Sequence, residues 1–189
     1  MESALIISHT EKSTAFLTEM LNAASYSQIV TLQFCGDARR LLLERNFDLI
    51  IINAPLQDES GESLARHIAS KGLSQVILIV KSEHFDAVSA ATEDEGVFTI
   101  VKPVNRTIFW SALKLAKAGQ NRMRWLRAEN SKLTQKIEDI RIIDRAKCLL
   151  ISYLTVSEQE AHRYIEKQAM DMRITRREVA EGILKTYEE

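Results

Sequence analysis

The stretch MRWLRAENSKLTQKIEDI, residues 123–140, divides the sequence into two parts of different character. Its apolar residues recur at the alternating a and d positions of a heptad repeat, the spacing of one helical seam. The seam positions are Met123, Leu126, Asn130, Leu133, Ile137 and Ile140. Asn130 lies at an a position, where a polar residue costs stability but sets the register and favours a parallel pair. The stretch predicts a coiled-coil dimerisation helix over residues 119–140.

An amphipathic helix packed on its own domain is the alternative interpretation of this stretch. The seam covers about two and a half heptads, whereas sustained coiled coils usually show three or four. Asn130 and the polar residues that flank the seam favour the dimer.

Length and composition limit the number of domains and the kinds of partner that the sequence allows. The 189 residues have room for one or two domains, and 46% hydrophobic residues suffice for a buried core. A net charge of −1 gives no electrostatic sign of nucleic acid or membrane, so any nucleic-acid surface must be a local patch. Cys35 and Cys148 match no metal or redox spacing and are expected to be buried free thiols. The apolar run Ala4–Ile7 is too short for a signal peptide or a membrane span, which predicts a cytoplasmic protein with no membrane partner.

Residues 1–118 alternate short apolar runs with amphipathic segments. The runs are Ala4–Ser8, Ile29–Phe34, Leu49–Asn53, Val76–Val80 and Val97–Val101. The last three are apolar almost throughout, as strands covered on both faces are. Five strands separated by helical patterns predict an α/β domain with a flavodoxin-like five-stranded parallel sheet, for which 2-1-3-4-5 is a common strand order.

The residues at the ends of the predicted strands in this part resemble those of the receiver domains of response regulators. The run Asp48-Leu-Ile-Ile-Ile-Asn53 followed by Gly61 resembles their third strand, and Lys102-Pro103 after the fifth strand resembles their Lys-Pro pair, often with a cis peptide. The resemblance implies a phosphorylation pocket at the carboxyl ends of the strands, where ligands of open α/β sheets bind.

This sequence departs from the receiver pattern at most pocket positions. Asn53 stands where the resemblance implies the phosphate-accepting aspartate, and an amide is not the nucleophile that forms an acyl phosphate. Ser8 and His9 replace the acidic pair that would hold magnesium, a cation that prefers carboxylate oxygens. Val80 replaces a hydroxyl residue, and Lys102 alone remains. These five residues predict a degenerate pocket in a pseudo-receiver that is not phosphorylated, with no metal and no cofactor.

Other groups near this pocket carry weaker expectations. His9 is either a ligand-binding or pH-sensitive group or an ordinary surface histidine, and Lys102 is either a ligand group or a structural lysine. Asp58 and Glu59 are expected to be solvated. Since no phosphate-binding glycine loop and no nucleophile–base pair is visible, we expect neither catalytic residues nor enzymatic activity.

The pattern of the carboxyl-terminal part predicts a small all-α domain of three helices. One long helix is predicted to start after Asn105, to run through Gly119 and to end near Tyr153. Two capping boxes, Ser157–Glu160 and Thr175–Glu178, predict the starts of two further helices. Tyr164 is expected to belong to the core of this domain, assigned to residues 141–189.

The same part resembles the ANTAR domain, the RNA-binding module of transcription antitermination regulators. The marks are the Ala146-Lys147 pair, the Glu160-Ala161 step and Val179-Ala180. The resemblance implies a homodimer that binds hairpins in a nascent mRNA leader, controlled by a regulatory protein or a small ligand at the receiver-like domain.

The candidate RNA contacts are the basic and aromatic residues of this module. They are Arg141, Lys147, His162, Arg163, Lys167, Arg173, Arg176 and Arg177. An ordinary salt-bridged surface is the alternative interpretation, because at least as many acids are interspersed with them. A DNA-binding regulator and a protein scaffold remain alternatives for the whole chain.

Overall fold

The computed structural model describes residues 2–187, which form two compact units, one up to Arg124 and one from Trp125 onwards. Each unit has its own hydrophobic core. Within residues 2–187, no helix carries an apolar stretch long enough to cross a lipid bilayer. The predicted boundaries at residues 118 and 140 stay predictions.

The first unit is built on a five-stranded parallel sheet. The strands are β1 (Ser3–Ile7), β2 (Gln28–Leu32), β3 (Leu49–Asn53), β4 (Gln75–Val80) and β5 (Val97–Val101). Their order is β2-β1-β3-β4-β5, which confirms the predicted fold class and strand order. Ile7 pairs with Leu32 on one side and with Ile52 on the other. Because the strands are parallel, this register brings Ser8, directly after β1, and Asn53, the last residue of β3, to the same edge of the sheet.

Helices cover both faces of the sheet, which explains why β3 is buried along its whole length. The first four are α1 (Glu11–Ala23), α2 (Cys35–Glu44), α3 (Glu62–Lys71) and α4 (Phe85–Thr92). Residues from α2 and α3 join one core cluster, while α1 packs into the cluster on the opposite face. Gly61, before α3, has φ +84°, and a Cβ there would lie 2.8 Å from Cγ2 of Ile52. Only glycine fits this turn without strain.

The long helix α5 (Arg106–Leu154) begins in the first unit and runs on into the second. The Asn105 Oδ1 atom accepts a hydrogen bond from the Ile108 amide at 2.8 Å, so Asn105 caps the helix as expected. The first turns bury Phe109 and Leu113 against the sheet. The helix continues through Gly119 without a break, which confirms the prediction of one helix.

Asp48, directly before β3, ties α5 to the amino edge of the sheet. Its carboxylate accepts hydrogen bonds from the amide of Ser3 at 2.8 Å, from Nε2 of Gln120 at 3.1 Å, and from the guanidinium of Arg124. Nε2 of Gln120 also donates to the Asp48 backbone carbonyl at 3.0 Å. Desolvation of the carboxyl group is outweighed by the Ser3 amide and the charge of Arg124, which lower the pKa of Asp48.

The Asp48→Asn variant is expected to unfold more easily than the wild type, by about 1–3 kcal/mol at pH 7, because it loses charge-assisted hydrogen bonds. A lowered pKa in the folded state stabilises the protein above the unfolded pKa of about 3.9, and this contribution disappears as the pH falls through the folded value. Urea unfolding between neutral and acidic pH should therefore show the difference shrinking below about pH 4. The exposed Asp94→Asn variant is the control, and an equal loss for both variants would contradict the role of Asp48.

The second unit packs the end of α5 against α6 (Glu158–Met172) and α7 (Arg176–Tyr187). Its core is small and contains Ala146, Leu150, Ala161, Ile165 and Ala180 among others. Both predicted capping boxes form, because Glu160 and Glu178 accept from the backbone amides of Ser157 and Thr175 while the hydroxyl groups accept in return.

Two burial predictions in this unit are wrong. Cys148 is exposed, and only Cys35 is a buried thiol. Tyr164 is 47% exposed because Ala161 and Ile165 are the residues of that turn that face the core.

Candidate nucleic-acid interface and degenerate receiver pocket

The degenerate pocket lies at the carboxyl ends of β1 and β3, and two of its polar side chains are hydrogen-bonded to each other. Nδ2 of Asn53 donates to Oγ of Ser8 at 3.0 Å, and both residues are buried. The site therefore presents an amide and a hydroxyl group where a metal-dependent phosphoacceptor would need carboxylates.

Lys102 and Val80 complete this pocket from the neighbouring strands. Nζ of Lys102 donates to the carbonyl oxygen of Ala54 at 2.5 Å, so the ammonium is held by the backbone. Burial lowers the pKa of Lys102, and the charge of Lys81 lowers it further. Val80 is buried, and its side chain offers no hydrogen-bonding group. Nδ1 of His9 is buried without a hydrogen bond to the described atoms.

Asp58 is exposed, as expected for a solvated residue, while Glu59 is only partly exposed, and both carboxylates also make structural contacts beside the pocket. The Asp58 carboxylate accepts from the amides of Cys35 and Gly36 at 3.1 and 2.9 Å, which caps the start of α2. Glu59 pairs with Arg39 at 2.9 Å. Burial and the two carboxylates raise the pKa of Cys35 to about 12, so its thiol stays protonated at neutral pH.

The seam residues of α5 remain largely uncovered within one chain. Met123, Leu126, Leu133, Ile137 and Ile140 are 40–58% exposed. Oγ1 of Thr134 lies 3.5 Å from Oδ1 of Asn130, a weak contact one helical turn along. An exposed apolar stripe of this length along a helix is typical of a surface that binds another helix.

The predicted RNA-contacting residues fall into two groups, and the first group is held by carboxylates. The Lys147 side chain is only 14% exposed and pairs with Asp144 at 2.7 Å and Glu158 at 3.2 Å. Hydrogen bonds to these two carboxylates raise the pKa of Lys147. The pairing joins α5 to the start of α6, which suits a structural lysine.

The two arginines at the start of α7 belong to this first group, as does His162. Arg177 pairs with Asp139 at 2.8 Å and Glu181 at 2.7 Å. Arg176 and His162 both approach Glu166, at 3.2 and 3.3 Å.

The second group is exposed and unpaired. Arg141, Arg163, Lys167 and Arg173 are exposed and form no ion pair with any residue between 2 and 187. Arg163 and Lys167 are one turn apart on α6, and the exposed ring of Tyr164 lies on the same side of the helix. We call Arg163, Tyr164 and Lys167 the α6 face. Two cations beside an aromatic ring suit a phosphate backbone and an unstacked base.

Both parts of the chain are similar to known proteins. The family model of the ANTAR domain matches residues 131–184. The transcriptional regulatory protein PdtaR of Mycobacterium tuberculosis strain H37Rv is 28% identical over 170 residues, which cover 90% of this chain and 83% of PdtaR.

Solved structures match the first unit and show its fold. The signal receiver domain of an HD domain-containing protein from Pseudomonas fluorescens Pf-5 aligns with a TM-score of 0.58 and 22% identity, over 65% of this chain and 91% of that domain. A two component transcriptional regulator AraC from Clostridium phytofermentans ISDg aligns with a TM-score of 0.58 and 17% identity, over 66% of this chain and 98% of that structure.

Proposed function

Because the chain is an ANTAR-domain response regulator whose amino-terminal part has the receiver fold, we propose that it is a homodimeric regulator of transcription antitermination that binds hairpins in nascent mRNA. The pseudo-receiver transmits a signal without phosphoryl transfer, through a regulatory protein or a small ligand. The regulated element is the α5 seam, whose assembly or masking sets the amount of RNA-binding dimer. We assign the protein to the cytoplasm and give it no enzymatic activity.

The α6 face is the observation that carries the RNA assignment. Its cations are exposed and form no ion pair with a described carboxylate, although the charge of Arg163, after the hydrogen bonds from Ser157, helps to lower the pKa of Glu160, so they bind phosphates without first breaking an ion pair. Single-stranded loops are recognised through stacking on aromatic side chains, and Tyr164 is exposed between the two cations along the sequence. Contacts from Lys147 and Arg177 would require these residues to give up two carboxylates each.

A gel-shift comparison tests the proposed function. The full chain is incubated at low salt with an RNA that carries two adjacent small-loop hairpins, and separately with duplex DNA of the same sequence. We expect a shift of the RNA that weakens with added salt, since phosphate contacts release counterions. A preferential shift of the DNA would favour a DNA-binding regulator, and no shift of either would favour a protein scaffold.

Incubation with acetyl phosphate and magnesium is expected to leave the wild-type mass unchanged. The Asn53→Asp variant should also stay unmodified, because Ser8 and His9 still supply no carboxylate for the metal. Intact-protein mass spectrometry measures both, with a conventional receiver domain as the positive control for the reagent. A stable phosphoryl adduct on the wild-type chain would refute the pseudo-receiver assignment.

A further inference from the structure

A cleft between α2 and α3 has no role in the degenerate pocket, the seam or the α6 face. Its floor is apolar and includes Leu42, Leu64 and Ile68. Two more leucines line it, and they are strongly exposed for apolar side chains, Leu43 at 82% and Leu73 at 50%. Because exposed apolar side chains that cluster beside a cleft mark binding surfaces, this cleft is a candidate docking site.

The cleft is lined by three cationic residues and a histidine. Arg39, Arg40, His67 and Lys71 line it, and no carboxylate does so among the described residues. Arg39 is held by Glu59, and Arg40 pairs with Asp37 at 3.2 Å while its side chain stays 81% exposed. Exposed pairs of this kind are weak and exchange readily. His67 and Lys71 form no ion pair within the described part of the chain. The charge therefore favours an acidic partner.

The size of the cleft distinguishes a protein segment from a small ligand. Its volume is about 190 Å³. Pockets that enclose drug-sized molecules measure about 300–1,000 Å³, so this cleft accommodates one or two apolar side chains better than a whole ligand. The exposed Leu43 and Leu73 extend the apolar surface beyond the cleft, which suits a helix that lays its apolar face along a groove.

We propose that the α2–α3 cleft binds an acidic amphipathic helix of a partner protein. The helix lays its apolar side chains over Leu42, Leu43 and Leu73, above the buried Leu64 and Ile68, and its carboxylates meet Arg40 and Lys71. This inference rests on one part of the proposed function, the control of the pseudo-receiver by a regulatory protein, and specifies the kind of segment with which that protein binds. Binding is measured without RNA, so failure of either proposal leaves the other standing.

The probe is a synthetic helical peptide of about 18 residues with leucines at i, i+4 and i+7 and glutamates on the flanks. A matched peptide has lysine in place of each glutamate. The full chain, labelled on its Leu, Ile and Val methyl groups, is titrated with each peptide to millimolar concentration and followed by NMR. We expect the acidic peptide to shift the methyl signals of Leu42, Leu64 and Ile68, and to bind at least about tenfold more tightly than the basic peptide.

Two exposed substitutions locate the binding site. Leu43→Ser and Lys71→Glu are each expected to weaken the acidic peptide about tenfold, by removing apolar contact area or by reversing a charge. Leu115→Ser, at an exposed leucine of α5, is the matched control and should bind like the wild type. Equal binding of both peptides, no binding of either, or shifts confined to other methyl groups would overturn the proposal. Decanoate, a small acidic amphiphile, is titrated as a third probe. Methyl shifts caused by decanoate but not by the acidic peptide would overturn the proposal in favour of a small-ligand site.

Discussion

The double variant Arg163→Glu/Lys167→Glu is expected to bind the two-hairpin RNA at least about 100-fold more weakly than the wild type at low salt. Each substitution removes a cation that meets phosphate and puts an anion in its place. The plot of log Kd against log salt should become shallower, because fewer counterions are released on binding. Fluorescence anisotropy with labelled RNA, repeated at several salt concentrations, measures both quantities.

The control for this variant changes net charge equally but lies in the first unit. Lys12→Glu/Lys114→Glu reverses two exposed lysines and should weaken RNA binding only slightly, through the long-range field. Equal losses for the two double variants would contradict a localised α6 face.

Substitution of Tyr164 tests the stacking contribution of the same face. We expect Tyr164→Ala to cost about 1–3 kcal/mol in RNA binding, as loss of one stacked base does, and Tyr164→Phe to retain most of the affinity. Circular dichroism of both variants checks that the helices stay intact, which the exposure of this ring predicts.

Leu133→Asp is expected to convert the proposed dimer into monomers, raising the dimer dissociation constant at least about 100-fold. In a symmetric pair the substitution removes two apolar contacts and desolvates two carboxylates at once. Because Leu133 is 52% exposed in the single chain, the fold of the protomer should survive. Sedimentation velocity over a concentration series measures the monomer–dimer equilibrium.

Ser131→Asp is the matched control, since it adds the same charge two residues away at an exposed position outside the seam. It should leave the dimer unchanged, and an unchanged dimer for Leu133→Asp would refute the seam. Asn130→Val addresses specificity. We expect tighter association with loss of a unique register or stoichiometry, because a buried asparagine trades stability for pairing specificity.

The strands and the helix caps could be predicted from local sequence patterns. The apolar runs of Leu49–Asn53 and Val97–Val101 predicted strands with the observed bounds, because strands covered on both faces require apolar residues at successive positions. The caps at Asn105 and Ser157 were equally predictable, since a cap hydrogen bond spans three residues.

Contacts between residues distant in sequence were not predictable in this way. The Asp48 hydrogen bond to Gln120 joins residues 72 positions apart, and the Asp58 cap on α2 joins residues about 22 apart. No periodicity encodes which polar groups will meet. A carboxylate directly before a strand or in a loop was as consistent with solvent as with a buried amide.

The sequence by itself determined the receiver-type sheet, the continuity of α5 through Gly119, the two capping boxes, and the absence of a carboxylate at positions 8, 9 and 53. These properties depend on residue identity and on spacing along one element, which are visible in a single chain. Only the tertiary structure decided that Lys147 is held between Asp144 and Glu158 and that Tyr164 lies outside the core. The same is true of the cleft between α2 and α3, which has an apolar floor and basic residues around it. The physical reason is that exposure and pairing depend on which helix packs against which, and that packing brings together residues from separate elements.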